Sequence, residues 1–170
     1  ELLKKNAVLV QLMGGRIGFS KNNMSLGVIG TYTLLNKDLM SSGVPYQYFN
    51  FNGKENSIVG ADFQLQLKRM SFFGEFSYNI QGGLAYLAGV NAPLNHRLAL
   101  AVLYRNYQKD YNNLFAAAFG ENTQNKNEKG IYTGLSFQVS KKLHLNAYAD
   151  LFSYPWLKYK VDAPSFGVEY

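Results

Sequence analysis

"MSFFGEFSYNIQ", residues 70–81, decides the fold: Phe72, Gly74, Phe76, Tyr78 and Ile80 share one parity, and Ser71, Glu75, Ser77, Asn79 and Gln81 share the other. Successive side chains of a strand point to opposite faces, so this period of two separates an apolar surface from a polar one. Phe73 alone breaks the sorting.

The same sorting recurs on both sides of this stretch. In "KLHLNAYADLF" (142–152), Leu143, Leu145, Ala147, Ala149 and Leu151 oppose His144, Asn146, Tyr148, Asp150 and Phe152. In "RLALAVLYRNY" (97–107), Leu98, Leu100, Val102 and Tyr104 oppose a parity that carries Arg97 and Arg105. Between Ser57 and Lys68 the apolar set is Val59, Ala61, Phe63, Leu65 and Leu67, opposite Asp62, Gln64 and Gln66. Residues 24–35 and 131–140 alternate as well, whereas 8–20 is less regular, and a β-bulge is expected at Gly14-Gly15.

The pattern predicts an all-β protein with about eight antiparallel strands, at about 8–20, 24–35, 56–68, 70–81, 83–91, 96–107, 130–140 and 142–153, and a possible ninth near Phe166. Most exceed the usual soluble strand of about 5–6 residues and match the roughly 9–11 residues that cross a bilayer at a tilt. The connections differ by side. Near residues 21–23, 68–69, 91–95 and 140–142 they are short, whereas 36–55, 108–129 and 154–165 are long and polar or aromatic, with a tight link at 81–83. Short turns on one rim and long loops on the other describe an up-and-down transmembrane β-barrel of the outer-membrane type, in which the short rim is periplasmic.

Composition agrees with strands: 13 Tyr, 12 Phe and 16 Gly stand against 4 Pro and no Cys. No run of about 18 apolar residues is present to build a spanning helix, a filter that alternating barrel strands escape. The absence of Cys excludes disulfides and thiol chemistry. The net charge of +6 invites an anionic partner, but lysines such as Lys21, Lys54, Lys109, Lys126, Lys141 and Lys158 fall at expected strand ends or in loops and form no nucleic-acid stripe. A lysine on the lipid face at mid-membrane costs about 2–4 kcal/mol, which explains their exclusion from strand centres.

If the turn at 21–23 is periplasmic, the chain enters its first strand from the outer rim. Residues 1–170 are therefore expected to form a single barrel section truncated at both ends, part of a larger barrel whose missing strands are partners of these.

Asp62, Glu75, Arg97, Arg105, His144 and Asp150 lie on the polar parity, so an ion-pair and hydrogen-bond lattice lining the lumen is expected. An open lumen would let the same charges tune permeation. His144 and Asp150 are six residues apart on one strand, about 20 Å, too far for His144 to be oriented as a general base. No metal-ligand spacing, phosphate-binding glycine loop or nucleophile motif occurs, so neither catalysis nor a cofactor is expected. In the third long segment Trp156, Lys158, Tyr159 and Lys160 suit rim anchoring, rings at headgroup level and ammonium groups beyond. The 108–129 segment reads as a solvated loop or one folded into the barrel mouth, with a ligand or partner surface as the alternative.

"LYRNYQKDYNNLFAAAFGE" (103–121), "NEKGIYTGL" (127–135) and "LNAYADLFSYPWLKYKVDAPSFG" (145–167) resemble the β-barrel portion of Bacteroidota-type envelope proteins with N-terminal helix-hairpin-helix repeats. The resemblance extends more weakly over "FNFNGKENSIVGADF" (49–63) and "FFGEFSYNIQGGLAYLAGV" (72–90). It implies an internal piece of a longer envelope protein and carries no catalytic set. The repeats themselves are absent here, so no nucleic-acid role passes to these residues.

Together these readings predict an outer-membrane barrel that serves as scaffold, porin-like channel or transport component of the cell envelope, with membrane lipid and an unidentified protein as partners. The alternative is a soluble β-barrel or curved sheet that binds a small apolar ligand, with Phe72, Phe76, Leu98, Leu100, Val102, Leu143 and Leu145 inside and the charges outside.

Overall fold

A computed structural model describes residues 8–158. Eight strands form one antiparallel sheet in sequence order: β1 (Val10–Lys21), β2 (Met24–Leu39), β3 (Gly53–Leu67), β4 (Met70–Asn79), β5 (Leu84–Pro93), β6 (Leu98–Tyr107), β7 (Glu128–Gln138) and β8 (His144–Ser153). Each strand pairs only with its neighbours in sequence, an up-and-down meander. Among the described residues β1 and β8 do not pair with each other, so the sheet is open rather than a closed barrel. The possible ninth strand near Phe166 lies outside the described residues.

Pairing registers turn the sequence alternation into two faces. One cross-strand row runs Gly18, Gly27, Asp62, Glu75, Leu87, Arg105, Gly130, Phe152, and residues two apart along each strand share that row's face. The other face carries Ile17, Val28, Phe63, Phe76, Tyr104, Ile131, Leu145 and Leu151, all exposed. Phe73, the exception in its strand, lies on the polar face opposite Gly89 of β5 and fills the space that residue leaves.

Several boundaries differ from the sequence expectation. The register from Val10 to Lys21 is unbroken, so no bulge occurs at Gly14-Gly15; Val10 and Leu12 simply occupy the polar face. The irregularity falls instead between Leu34 and Leu39, where β2 pairs with Glu55 and then Gly53. Both strands of that hairpin thus run further than expected, and the connecting loop shrinks to residues 40–52. β7 begins at Glu128, inside the expected loop.

The rims are unequal. One has two-residue turns at Asn22-Asn23 and Lys68-Arg69 and short links at 94–97 and 139–143; the other has the loops 40–52 and 108–127 and the tight link 80–83. Asn22 and Lys68 adopt φ of 52° and 54°, the left-handed conformation tight hairpin turns use. Most of the buried apolar core sits on the polar face at the long-loop rim, where Leu35, Ile58, Ala85 and Tyr107 project and Tyr111 of the 108–127 loop packs onto Ala85 and Tyr107.

Candidate functional site

The polar face carries two ion pairs built alike. Arg16 of β1 reaches across β2 to Asp62 of β3, donating Nη2 to Oδ1 at 2.5 Å and Nε to Oδ2 at 3.0 Å. Between them lies Gly27, whose missing side chain leaves the space that guanidinium and carboxylate occupy. Arg105 of β6 crosses Gly130 of β7 to reach Asp150 of β8, with Nη1 and Nη2 donating to Oδ1 and Oδ2 at 2.9 and 3.0 Å. The first pair is half exposed, whereas Arg105 is fully buried.

Arg105 also donates Nε to Oε1 of Glu128 at 2.6 Å, and its guanidinium lies 5.4 Å from the Phe119 ring centroid. Glu128 is equally buried, and it accepts the backbone N–H groups of Glu121 and Asn122 as well. The carboxylate therefore ties the sheet to the far turn of the 108–127 loop. A buried charge is tolerable when paired and fully hydrogen-bonded, and among the described residues no buried side-chain polar atom lacks a partner.

The rest of the loop lies on the same face. Tyr107 donates its hydroxyl to the Phe119 carbonyl at 2.8 Å, and the Ser77 and Tyr111 hydroxyls share a hydrogen bond of 2.8 Å. Phe119 meets Tyr132 of β7 edge to face at 5.1 Å. Asn79 donates to Asn56 Oδ1, and both amides donate to the Asn112 carbonyl, so amides on β3 and β4 hold the loop's near end. Asn112 in turn donates to the Phe49 carbonyl, joining the 108–127 loop to the 40–52 loop. A cavity of about 230 Å³ remains between loop and sheet, lined by Glu75, Tyr107, Tyr111 and Phe119 among others.

Of the expected lattice, Asp62, Arg105 and Asp150 are joined in ion pairs. Glu75 stands directly opposite Asp62 and opens to the cavity rather than joining a pair. Arg97 is exposed in the turn before β6, where among the described residues only its backbone is engaged, and it makes no ion pair with them. His144 begins β8 at the short-turn rim, also exposed and on the polar face but far along the strand from Asp150. The described residues include no group of His, Cys, Asp and Glu arranged to hold a metal.

Two members of the lattice are absent from the sequence expectation. Arg16 shares parity with Gly14, Gly18 and Ser20, a polar and small series that the irregular apolar residues of β1 obscure. Glu128 is in phase with Gly130 and Tyr132, and extending that alternation back by one step would have found it.

The expected rim residues that are described pack against the long loops. Trp156 donates its indole N–H to the Pro45 carbonyl at 3.0 Å, packs edge to face on Phe49 at 5.0 Å, and exchanges two backbone hydrogen bonds with the Asn127 amide. It thereby pins the segment after β8 to both long loops. Lys158 places its ammonium 3.9 Å from the Tyr154 ring centroid. Tyr159 and Lys160 lie outside the described residues.

Comparison with protein-family models, with curated proteins and with solved structures finds no match.

Proposed function

We propose that this chain is a transmembrane section of a larger outer-membrane β-barrel, acting as scaffold, channel or transport component, with its polar face toward the lumen and the 108–127 loop narrowing that lumen. The observation that carries the reading is an inverted distribution of burial. Arg105, Glu128 and Asn79 are the largest fully buried side chains, while Ile17, Val28, Phe63, Phe76, Leu145 and Leu151 are exposed together on the opposite face. In water, an uncovered apolar face spanning eight strands is an aggregation liability; in hydrocarbon it is the stable arrangement.

Strand length supports the same medium. Ten residues, as in β4, β5, β6 and β8, extend about 34 Å and at a tilt of about 45° rise about 24 Å, close to the apolar band of such barrels. The open edges at β1 and β8 leave unpaired N–H and C=O rows that hydrocarbon cannot solvate, so the reading requires further strands of the same protein against them. Kinship with the barrel portion of Bacteroidota-type envelope proteins belongs to this proposal, and no catalytic step is assigned.

Membrane extraction of the full-length protein tests it. Retention in the outer-membrane fraction, release only by detergent and heat-modifiable migration in gels are expected. Solubility without detergent overturns the proposal and favours a soluble β-protein whose apolar face is covered by a ligand or another domain.

A further inference from the structure

Three segments meet at the long-loop rim around a pocket of about 330 Å³. Lys109, Lys126 and Lys158 all line it, together with Phe49, Trp156 and amides such as Asn122, and among the described residues its lining includes neither Asp nor Glu. Lys109 Nζ stands 4.4 Å from the Phe49 ring centroid and 4.6 Å from that of Trp156. Lys126 donates to Oδ1 of Asn50 at 2.5 Å and of Asn112 at 3.0 Å. Rings and amide oxygens orient these ammonium groups without neutralising them.

Solvated lysines on a loop normally extend into water and keep apart. Here loop packing draws three into one concavity, and Lys126 is part-buried with, among the described residues, only amide partners. Mutual repulsion and lost hydration both favour an anion at this place. Indole and phenyl groups offer apolar surface for the C–H face of a sugar ring, and amides can exchange hydrogen bonds with hydroxyls. We infer that this pocket binds an anionic saccharide, a sugar bearing a carboxylate or a phosphate. Its volume lies at the small end of the usual range of about 300–1,000 Å³, suited to one charged ring. The inference stands independently of the medium that meets the apolar face.

Trp156 is the only tryptophan of residues 1–170 and lines the pocket, so the part of the emission change that is lost in Trp156→Phe reports occupancy. With the full-length protein in detergent micelles, galacturonate or glucose 6-phosphate should give a saturable change in emission that weakens with added salt. Lys109→Gln and Lys158→Gln should each weaken binding about tenfold, the loss of one charge-assisted contact. Lys54→Gln, outside the pocket, should leave it unchanged, and circular dichroism checks that each variant is folded. A response in lipopolysaccharide-containing nanodiscs alone assigns the same chemistry to a lipid headgroup; a response to the free sugars assigns a soluble source. An equal response to glucose, an equal affinity for inorganic phosphate, or no response to any of these probes overturns the inference.

Discussion

Arg16 and Asp62 are two strands apart and meet over Gly27, whose lack of a side chain leaves the space in which they touch. A Cβ at Gly27 would collide with the guanidinium and with Oδ2 of Asp62. Gly27→Ala should therefore break the pair and destabilise the sheet by about 1–3 kcal/mol, the range for overpacking. Because the pair is half exposed and screened by solvent, Arg16→Gln alone should cost much less than Gly27→Ala. With Arg16 already shortened, adding Gly27→Ala should cost less than it does in the native background. Urea midpoints of the four proteins measure that coupling, and additive effects would contradict a shared space.

Burial changes the magnitude at the second pair. Arg105→Met strands Glu128 and Asp150 without their cation, and Glu128 is fully inaccessible. Removal of one partner from a buried ionic group costs about 3–5 kcal/mol, so this variant should lose most of its denaturant resistance. Neutralising the carboxylates as well, in Arg105→Met with Glu128→Gln and Asp150→Asn, should recover a large part. Unfolding followed by tryptophan emission checks both, and failure of the triple variant to recover would mean that packing of the guanidinium outweighs charge.

Lys126 makes the loop layer sensitive to alkali. Burial pushes its ammonium down to about 8 from an ordinary 10.5. Below pH 8 docked and undocked forms both hold the proton, and the burial penalty is complete. Between about 8 and 10.5 the docked form releases its proton first, so docking strengthens as pH rises through that window and levels off above it. Acrylamide quenching of Trp156, which is bonded to neighbouring Asn127, should fall across the same interval. Lys126→Met should abolish the trend; a trend that survives the substitution would assign it to another group.

The strands were legible because one face stays apolar along each strand, a period of two clearest in β4, β6 and β8, where the apolar parity holds from Phe72 to Tyr78, Leu98 to Tyr104 and Leu145 to Leu151. β1 was misread because Val10 and Leu12 sit on the polar face, which blurs its alternation. Asp62, Arg105 and Asp150 could be assigned to one face by parity alone. Their partners could not, because each pair skips a strand over a glycine and the length of an arginine, not the register, decides the contact. The loop layer was hidden for a different reason. The Asn56, Asn79 and Asn112 bonds join residues far apart in sequence, and asparagines in a polar loop carry no periodic signal.

The apolar face offers the sharpest separation of media. Val28 lies well inside β2, is 63 % exposed, and projects from the same face as its cross-strand neighbours Ile17 and Ala61. On a water-facing sheet, Val28→Lys would change stability by no more than about 0.5 kcal/mol and would improve solubility. In a bilayer the same ammonium sits in hydrocarbon, and the cost rises to about 2–4 kcal/mol near the midplane. Lys21, at the end of β1 beside the short turn, shows where that charge is tolerated, so moving it inward isolates depth as the variable. Reversible unfolding of the full-length protein from lipid vesicles should therefore show a large loss for Val28→Lys and almost none for Ser25→Lys, which points to the opposite face. Equal, small effects at both positions would mean that the apolar face does not meet lipid.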